Sequence, residues 1–255
     1  MNTYYKLIYK LLSVVLLLNV NLNVAFSQKI NLKAVTDSIQ TEGRMLYRSE
    51  MASWYGTDIF FEKMKSKKGM IGGYISYDTG KGINNVFVTK GNEDVVLSTI
   101  TFGYDFNLNN YVLDTIQRKL TAAEKNLFNM RKAALNALNT DTLFKYYNNS
   151  SFNIIPIIDK KARRTYIISG PKVVGVIILG NDYLIEFDKN NNIINKKKIH
   201  RNILPFETKV GDDQTSAVHS HLASTGDFIT ATDICTLMLY KNSTGWKTHT
   251  VISKN

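Results

Sequence analysis

The chain has 255 residues, is 44% hydrophobic and 21% charged, and contains one Cys and three Pro. That apolar content excludes a disordered chain, and a single Cys excludes a disulfide framework or a cysteine-rich metal knuckle. The formal charge of +11 raises the question of an acidic partner, which only the placement of the charges can answer.

Residues Met1–Ser27 have the three parts of a secretory signal peptide. Lys6 and Lys10 come first, the apolar run Leu11–Leu18 follows, and Ala25-Phe26-Ser27 puts small residues where a signal peptidase reads. The run is well short of the ~20 residues that span a bilayer, so cleavage before Gln28 is expected rather than a stable membrane span. The working compartment is then extracytoplasmic, secreted or periplasmic. Lone Cys235, beside Ile234, Leu237 and Met238, reads as a buried, inert thiol.

Residues 31–64 predict helix, with Leu32, Val35, Ile39 and Leu46 at helical spacing and a break expected at Gly56. The lysine-rich run Lys63–Gly69 ends it. Strands are expected at 70–77, 85–89, 95–102 and 111–116, with turn chemistry at 78–82 and short loops throughout, which suggests an antiparallel meander. Thr121-Ala122-Ala123-Glu124 is a capping box that starts a middle helix running to about Leu138 and resuming through Tyr147.

The second half predicts strands at 152–158, 165–169, 173–179, 183–187 and 193–199. Gly170-Pro171, Gly180-Asn181-Asp182 and Lys189–Asn192 supply the turns. Asn148–Ser151 is the best boundary, giving a helix-and-meander lobe over 28–147 and a mixed lobe over 148–255. The basic residues Lys160, Lys161, Arg163, Arg164 and Lys196–Lys198 fall at turns and on one strand. They form no helical stripe and have no aromatic interleaving, so nucleic acid is not an expected partner and a solvated face is. A surface for an acidic polymer is the alternative. The fold class expected is α+β: a strand-rich antiparallel meander, an N-terminal helix, a middle helix and a C-terminal strand–helix–strand unit.

The sharpest chemical signal lies at 218–234. His219 and His221 are two residues apart after Ala217-Val218, and on a strand they share a face, from which both imidazoles can reach one ion. Asp227 and Asp233 follow as candidate oxygen ligands. Three protein ligands plus water is the arrangement of a catalytic zinc site, and mixed nitrogen and oxygen ligation suits zinc. Thr230-x-x-Asp233 is equally a helix-start signature, with Thr230 as cap and Asp233 favouring the helix N-terminus. His200 and His249 are isolated in the sequence and read as ordinary histidines. His249, on an expected final strand at 248–253 that can pair near His219, is a further candidate nitrogen ligand.

At these residues the sequence resembles the JAB/MPN metalloprotease family, whose signature is H-x-H, a spacer and S-x-x-D. The resemblance implies that His219, His221 and Asp233 bind zinc. Thr230 would stand where the family has an oxyanion-stabilising Ser, and the reaction would be hydrolysis of an amide or isopeptide bond in a protein or peptide. The departures are concrete. The spacer is one residue longer than the family's, Leu222 replaces a frequent Pro, and the family's upstream Glu has no counterpart in its usual context. Glu186, Glu207 and Asp227 are the carboxylates left to take the proton. Segments 180–188 and 227–240 also resemble uncharacterised secreted proteins of Bacteroidetes-type bacteria, which implies no activity. The other reading is a non-catalytic extracytoplasmic binding protein with a structural or vestigial metal site. For export, N-terminal sequencing of the protein recovered outside the cytoplasm should begin at Gln28; a retained Met1 refutes cleavage.

Overall fold

The computed structural model describes residues 31–91, 95–160, 162–208 and 216–253. The signal-like segment Met1–Ser27 and Lys161 lie outside these, as do residues 209–215. No helix among the described residues is long and apolar enough to cross a membrane.

The fold is α+β. Helix α1 (Leu32–Lys63) is followed by a 3-10 turn over Lys65–Met70. Gly56, expected to interrupt α1, lies inside it. The reason is close packing: a Cβ there would meet Asn85 Oδ1 at 2.2 Å, because the Asn85 side chain occupies that space while donating to Ser76 Oγ. The glycine here admits a neighbouring strand and does not break the helix.

Strands β1 (Ile71–Asp78), β2 (Ile83–Thr89), β3 (Val95–Phe102) and β4 (Val112–Asp114) form the expected antiparallel meander, and the two-residue strand β5 (Arg118–Lys119) pairs with β3. Both faces of this sheet are covered. Ile83 and Phe87 of β2 pack on Met51, Ile59 and Phe60 of α1. Val86 and Val88, pointing the other way by the two-residue strand period, pack on Leu127 and Phe128. The latter belong to α2 (Ala122–Thr140), which does not resume through Tyr147; it ends at Asp141, after which the chain turns.

A second antiparallel sheet has the order β10-β9-β7-β6, from β6 (Ser150–Ile158), β7 (Arg163–Pro171), β9 (Tyr183–Phe187) and β10 (Ile193–Lys198). Gly170 and Pro171 continue β7, paired with Ser151 and Ser150, so the turn expected there is a strand end. The other stripe of α2, Met130, Ala134 and Leu138, packs on Ile154, Ile167 and Tyr183 of this sheet. The opposite face of the sheet meets Leu46 of α1 and Ala231 and Cys235 of α3 (Ala231–Leu239). Two short pairs complete the fold. β8 (Val176–Gly180) runs antiparallel to β11 (Ile203–Glu207), and β12 (Ser216–Ser220) runs parallel to β13 (Thr248–Ile252).

The basic residues of the second half are not one uniform solvated face. Lys196 is held by Asp141, while Arg164 is bonded to Asp159 and Glu42 and Arg163 to Asn126. Three of these contacts tie β7 and β10 to α1 and α2, while Lys160, Lys196 and Lys197 remain exposed.

The Thr121 capping box forms, and its Glu124 does more than cap. Its carboxylate, 1% exposed, takes two 2.7 Å bonds from the Arg118 guanidinium, one from Tyr77 Oη and one from the Thr121 amide. Burial opposes its charge, but these donors prevail and hold the carboxyl at about 2. A carboxyl depressed in the folded state stabilises the fold above its unfolded value of about 4.3 and loses that stabilisation as pH falls toward 2. Glu124→Gln should therefore cost about 2 kcal/mol in urea unfolding at neutral pH, by removing charge-assisted bonds to the part-exposed Arg118. It should also flatten the loss of stability between pH 4 and 2; an unchanged acid limb refutes the assignment.

Candidate metal centre

Four side chains meet where the second sheet, the two short strand pairs and α3 adjoin. They are His200, His219, His221 and Asp233, 7%, 7%, 6% and 1% exposed, and one ligand atom from each lies within 4.8 Å of all the others.

The local sequence explains how each arrives. β12 alternates exposed and buried residues, so Ala217 and His219 point inward. His221 lies just past the strand on the same parity, and its amide donates to Ile252 O, which carries the β13 pairing one residue further. Asp233 is the third residue of α3. Its amide donates to Thr230 Oγ1, and its carboxylate accepts from the Thr230 amide and hydroxyl at 2.9 and 2.8 Å, so the capping box is complete. That cap fixes the carboxylate rotamer facing the imidazoles.

His200 is delivered by backbone packing. The segment after β10 crosses the turn between β8 and β9, with Ile199 N donating to Asp182 O and Asn181 N to Asn202 O, both at 2.8 Å. The crossing needs Gly180: its φ is +83°, and a Cβ there would sit 2.3 Å from Asn202 O. The Gly180-Asn181-Asp182 turn is thus a buried hub, with Asn181 0% and Asp182 2% exposed.

The ligand atoms are spaced as a small cation would require. His221 Nε2 is 3.0 Å from His219 Nε2, 3.3 Å from His200 Nε2 and 3.2 Å from Asp233 Oδ2. His200 Nε2 is 3.5 Å from Asp233 Oδ2, and His219 Nε2 is 3.7 Å from Asp233 Oδ1. Ligands bonded to zinc at about 2.0–2.1 Å in a tetrahedron stand roughly 3.3 Å apart. Asp233 Oδ1 is buried and accepts no hydrogen bond, a costly state for a carboxylate oxygen unless a cation faces it.

The surroundings orient these rings as metal sites do. His200 Nδ1 lies 3.2 Å from Asp182 Oδ2, and His219 Nδ1 lies 2.7 Å from His249 Nε2. With Nε2 of each turned to the centre, the Nδ1–H groups donate outward to a carboxylate and to a neutral imidazole. The electrostatics favour positive charge in the middle. Burial opposes protonation of His200, but Asp182 and Asp233 overcome it and raise the imidazole to about 10. Burial lowers His219 to about 4 and also lowers His249, keeping both neutral and able to accept or ligate. Asp233 is held below the usual carboxylate range: burial pushes it up, and the His200 and His221 contacts pull it down further. Asp182, by contrast, is raised by burial.

The sequence-derived residues fall in different places. His219, His221 and Asp233 come together. Asp227 is exposed on the loop before α3 and is not among the four. The Thr230 hydroxyl is engaged in the cap. The Glu186 carboxylate accepts from the Asn195 side chain at 2.7 Å, at the β9–β10 edge. Glu207 is exposed at the end of β11, paired with Val176. His200 and Asp182 were not singled out in the sequence. Neither has ligand spacing, and the nearest signal was an Asn-Asp pair in a turn flanked by strands apolar enough to be buried.

A cleft of about 250 Å³ opens beside the cluster. His200, His219 and Asp233 contribute to its floor and His221 does not; Leu204, Phe206 and Leu222 form apolar walls. Among the described residues lining it, Asp233 is the only carboxylate and Arg201 the only cation apart from the histidines.

Asp182→Ala should weaken metal binding about 10–100-fold by freeing the His200 ring, while Asp227→Asn should leave it unchanged. Metal titration of the two variants beside the parent chain measures this. Equal affinity for Asp182→Ala and parent refutes the orienting role.

No protein-family model, curated protein or solved structure matches the chain, so the case for function rests on the geometry of this cluster.

Proposed function

We propose that the chain is a metal-binding protein whose His200, His219, His221 and Asp233 hold one divalent transition-metal ion, zinc in the first instance. The observation that carries this is the convergence of three imidazole nitrogens and a carboxylate within 4.8 Å in a buried place. The partnerless Asp233 Oδ1 and the outward bonds to Asp182 and His249 agree with it. Neutral imidazoles with one carboxylate suit zinc, and also suit iron, copper or nickel, so availability in the cell contributes to the choice. The signal-like Met1–Ser27 adds that the site works outside the cytoplasm.

A second reading, zinc-dependent hydrolysis of an amide or isopeptide bond, is favoured by the cleft that reaches three of the four residues. A zinc-bound water in such a position is acidified to about 7 and becomes a nucleophile at neutral pH. The proton acceptor is the part this reading lacks, since none of Glu186, Glu207 and Asp227 lines the cleft, and Thr230, its oxyanion donor, is committed to the cap. The binding reading is the better supported of the two.

Metal analysis of the purified full-length chain should give one zinc per molecule, and His221→Ala should weaken binding about a hundredfold or more, a quarter share of a typical structural zinc affinity. Circular dichroism of each sample separates loss of ligand from loss of fold. Equal zinc in parent and variant overturns the centre. Chelator-sensitive cleavage of a mixed peptide pool would establish the hydrolytic reading, and none in the zinc-loaded protein would reject it for peptides.

A further inference from the structure

Three of the four converging residues, His200, His219 and Asp233, line the cleft, and His221 does not. A molecule that enters the cleft would therefore meet an ion held by the cluster from the side that these three residues share.

The cleft's chemistry specifies what can enter. A divalent ion that displaces the His200 proton and is held by three imidazoles and one carboxylate keeps a net positive charge. Arg201, exposed at the cleft, adds a second one, and no carboxylate other than Asp233 faces it among the described lining residues. The walls are apolar, from Leu179, Leu204, Phe206, Val218 and Leu222. At about 250 Å³ the space lies below the ~300 Å³ where pockets for drug-sized ligands begin. Resting on the metal reading above, we propose that the cleft binds a small organic carboxylate, with its anionic oxygen toward the ion and Arg201 and its short apolar body against Leu204 and Phe206. The combination of one anion with one apolar body follows from a cationic floor and apolar walls; a fully polar anion would leave the walls uncovered, and a neutral apolar molecule would leave the ion to water.

Cobalt(II) substituted into the full-length protein reports both halves separately, because its visible absorption changes with coordination number. Stoichiometric uptake of cobalt tests the metal centre alone. Phenylacetate should then alter the visible band. Acetate, lacking the ring, should need at least tenfold higher concentration, since burying an aromatic side group contributes about 1.5–3 kcal/mol. Phenylacetamide, with the ring and no charge, should leave the band unchanged. Arg201→Ala, at an exposed position that leaves the fold alone, should keep cobalt uptake and weaken phenylacetate about tenfold, and Leu204→Trp should keep cobalt and abolish the response by filling the cleft. If cobalt binds and phenylacetate leaves the spectrum unmoved, or if the amide acts as well as the acid, the carboxylate site is wrong while the metal centre stands. If cobalt does not bind, the metal reading fails and this one with it.

Discussion

A carboxylate that is 1% exposed must be compensated, because an isolated charge in a protein interior costs several kcal/mol. Asp233 is that carboxylate, and the C-terminal third of the molecule is arranged around its needs. One oxygen is satisfied by the first turn of its own helix, through Thr230. That same oxygen also faces His200 and His221, and the other, which accepts no hydrogen bond, lies 3.7 Å from His219 Nε2. Removing those imidazoles would strand the charge, and removing the carboxylate would leave three buried ring nitrogens facing one another. Helix α3, strand β12 and the segment after β10 therefore depend on one another through a single charged group.

The two competing readings of Thr230-x-x-Asp233 describe the same atoms. As a helix cap the pair needs only each other, and the cap forms. The cap also aims the carboxylate, since the bonds to Thr230 leave Asp233 a narrow choice of rotamer. A device that starts a helix thus doubles as the orientation of a candidate ligand. His219 and His221 gain their common direction as cheaply, from the alternation of a five-residue strand.

Most of the fold was legible because it is local. The meander follows from apolar runs cut by Asp-Thr-Gly-Lys-Gly and other turns, and helices α2 and α3 announce themselves by capping boxes. What was not legible depends on which distant backbone passes over which turn. Gly56 looks like a helix break in sequence and is a contact point with Asn85 in space. Pro171 looks like a turn and is a strand terminus paired with Ser150. His200 shows no ligand spacing because its neighbours in the cluster are brought by β12 and α3, and its orienting Asp182 lies in the turn between β8 and β9. The H-x-H motif is a strand-periodicity signal and could be read; the other two members of the His200–Asp182 side are products of tertiary packing around Gly180 and have no one-dimensional signature.

Strand β13 supplies none of the four converging residues, yet it holds two of them: Ile252 O takes the His221 amide, and His249 Nε2 takes the His219 ring. Its pairing with β12 is parallel, and the whole of α3 lies between the two strands in sequence. As the chain emerges during synthesis, all four residues are therefore present before the strand that holds two of them. Loss of β13 would strip His219 and His221 of these supports while leaving every one of the four in the chain.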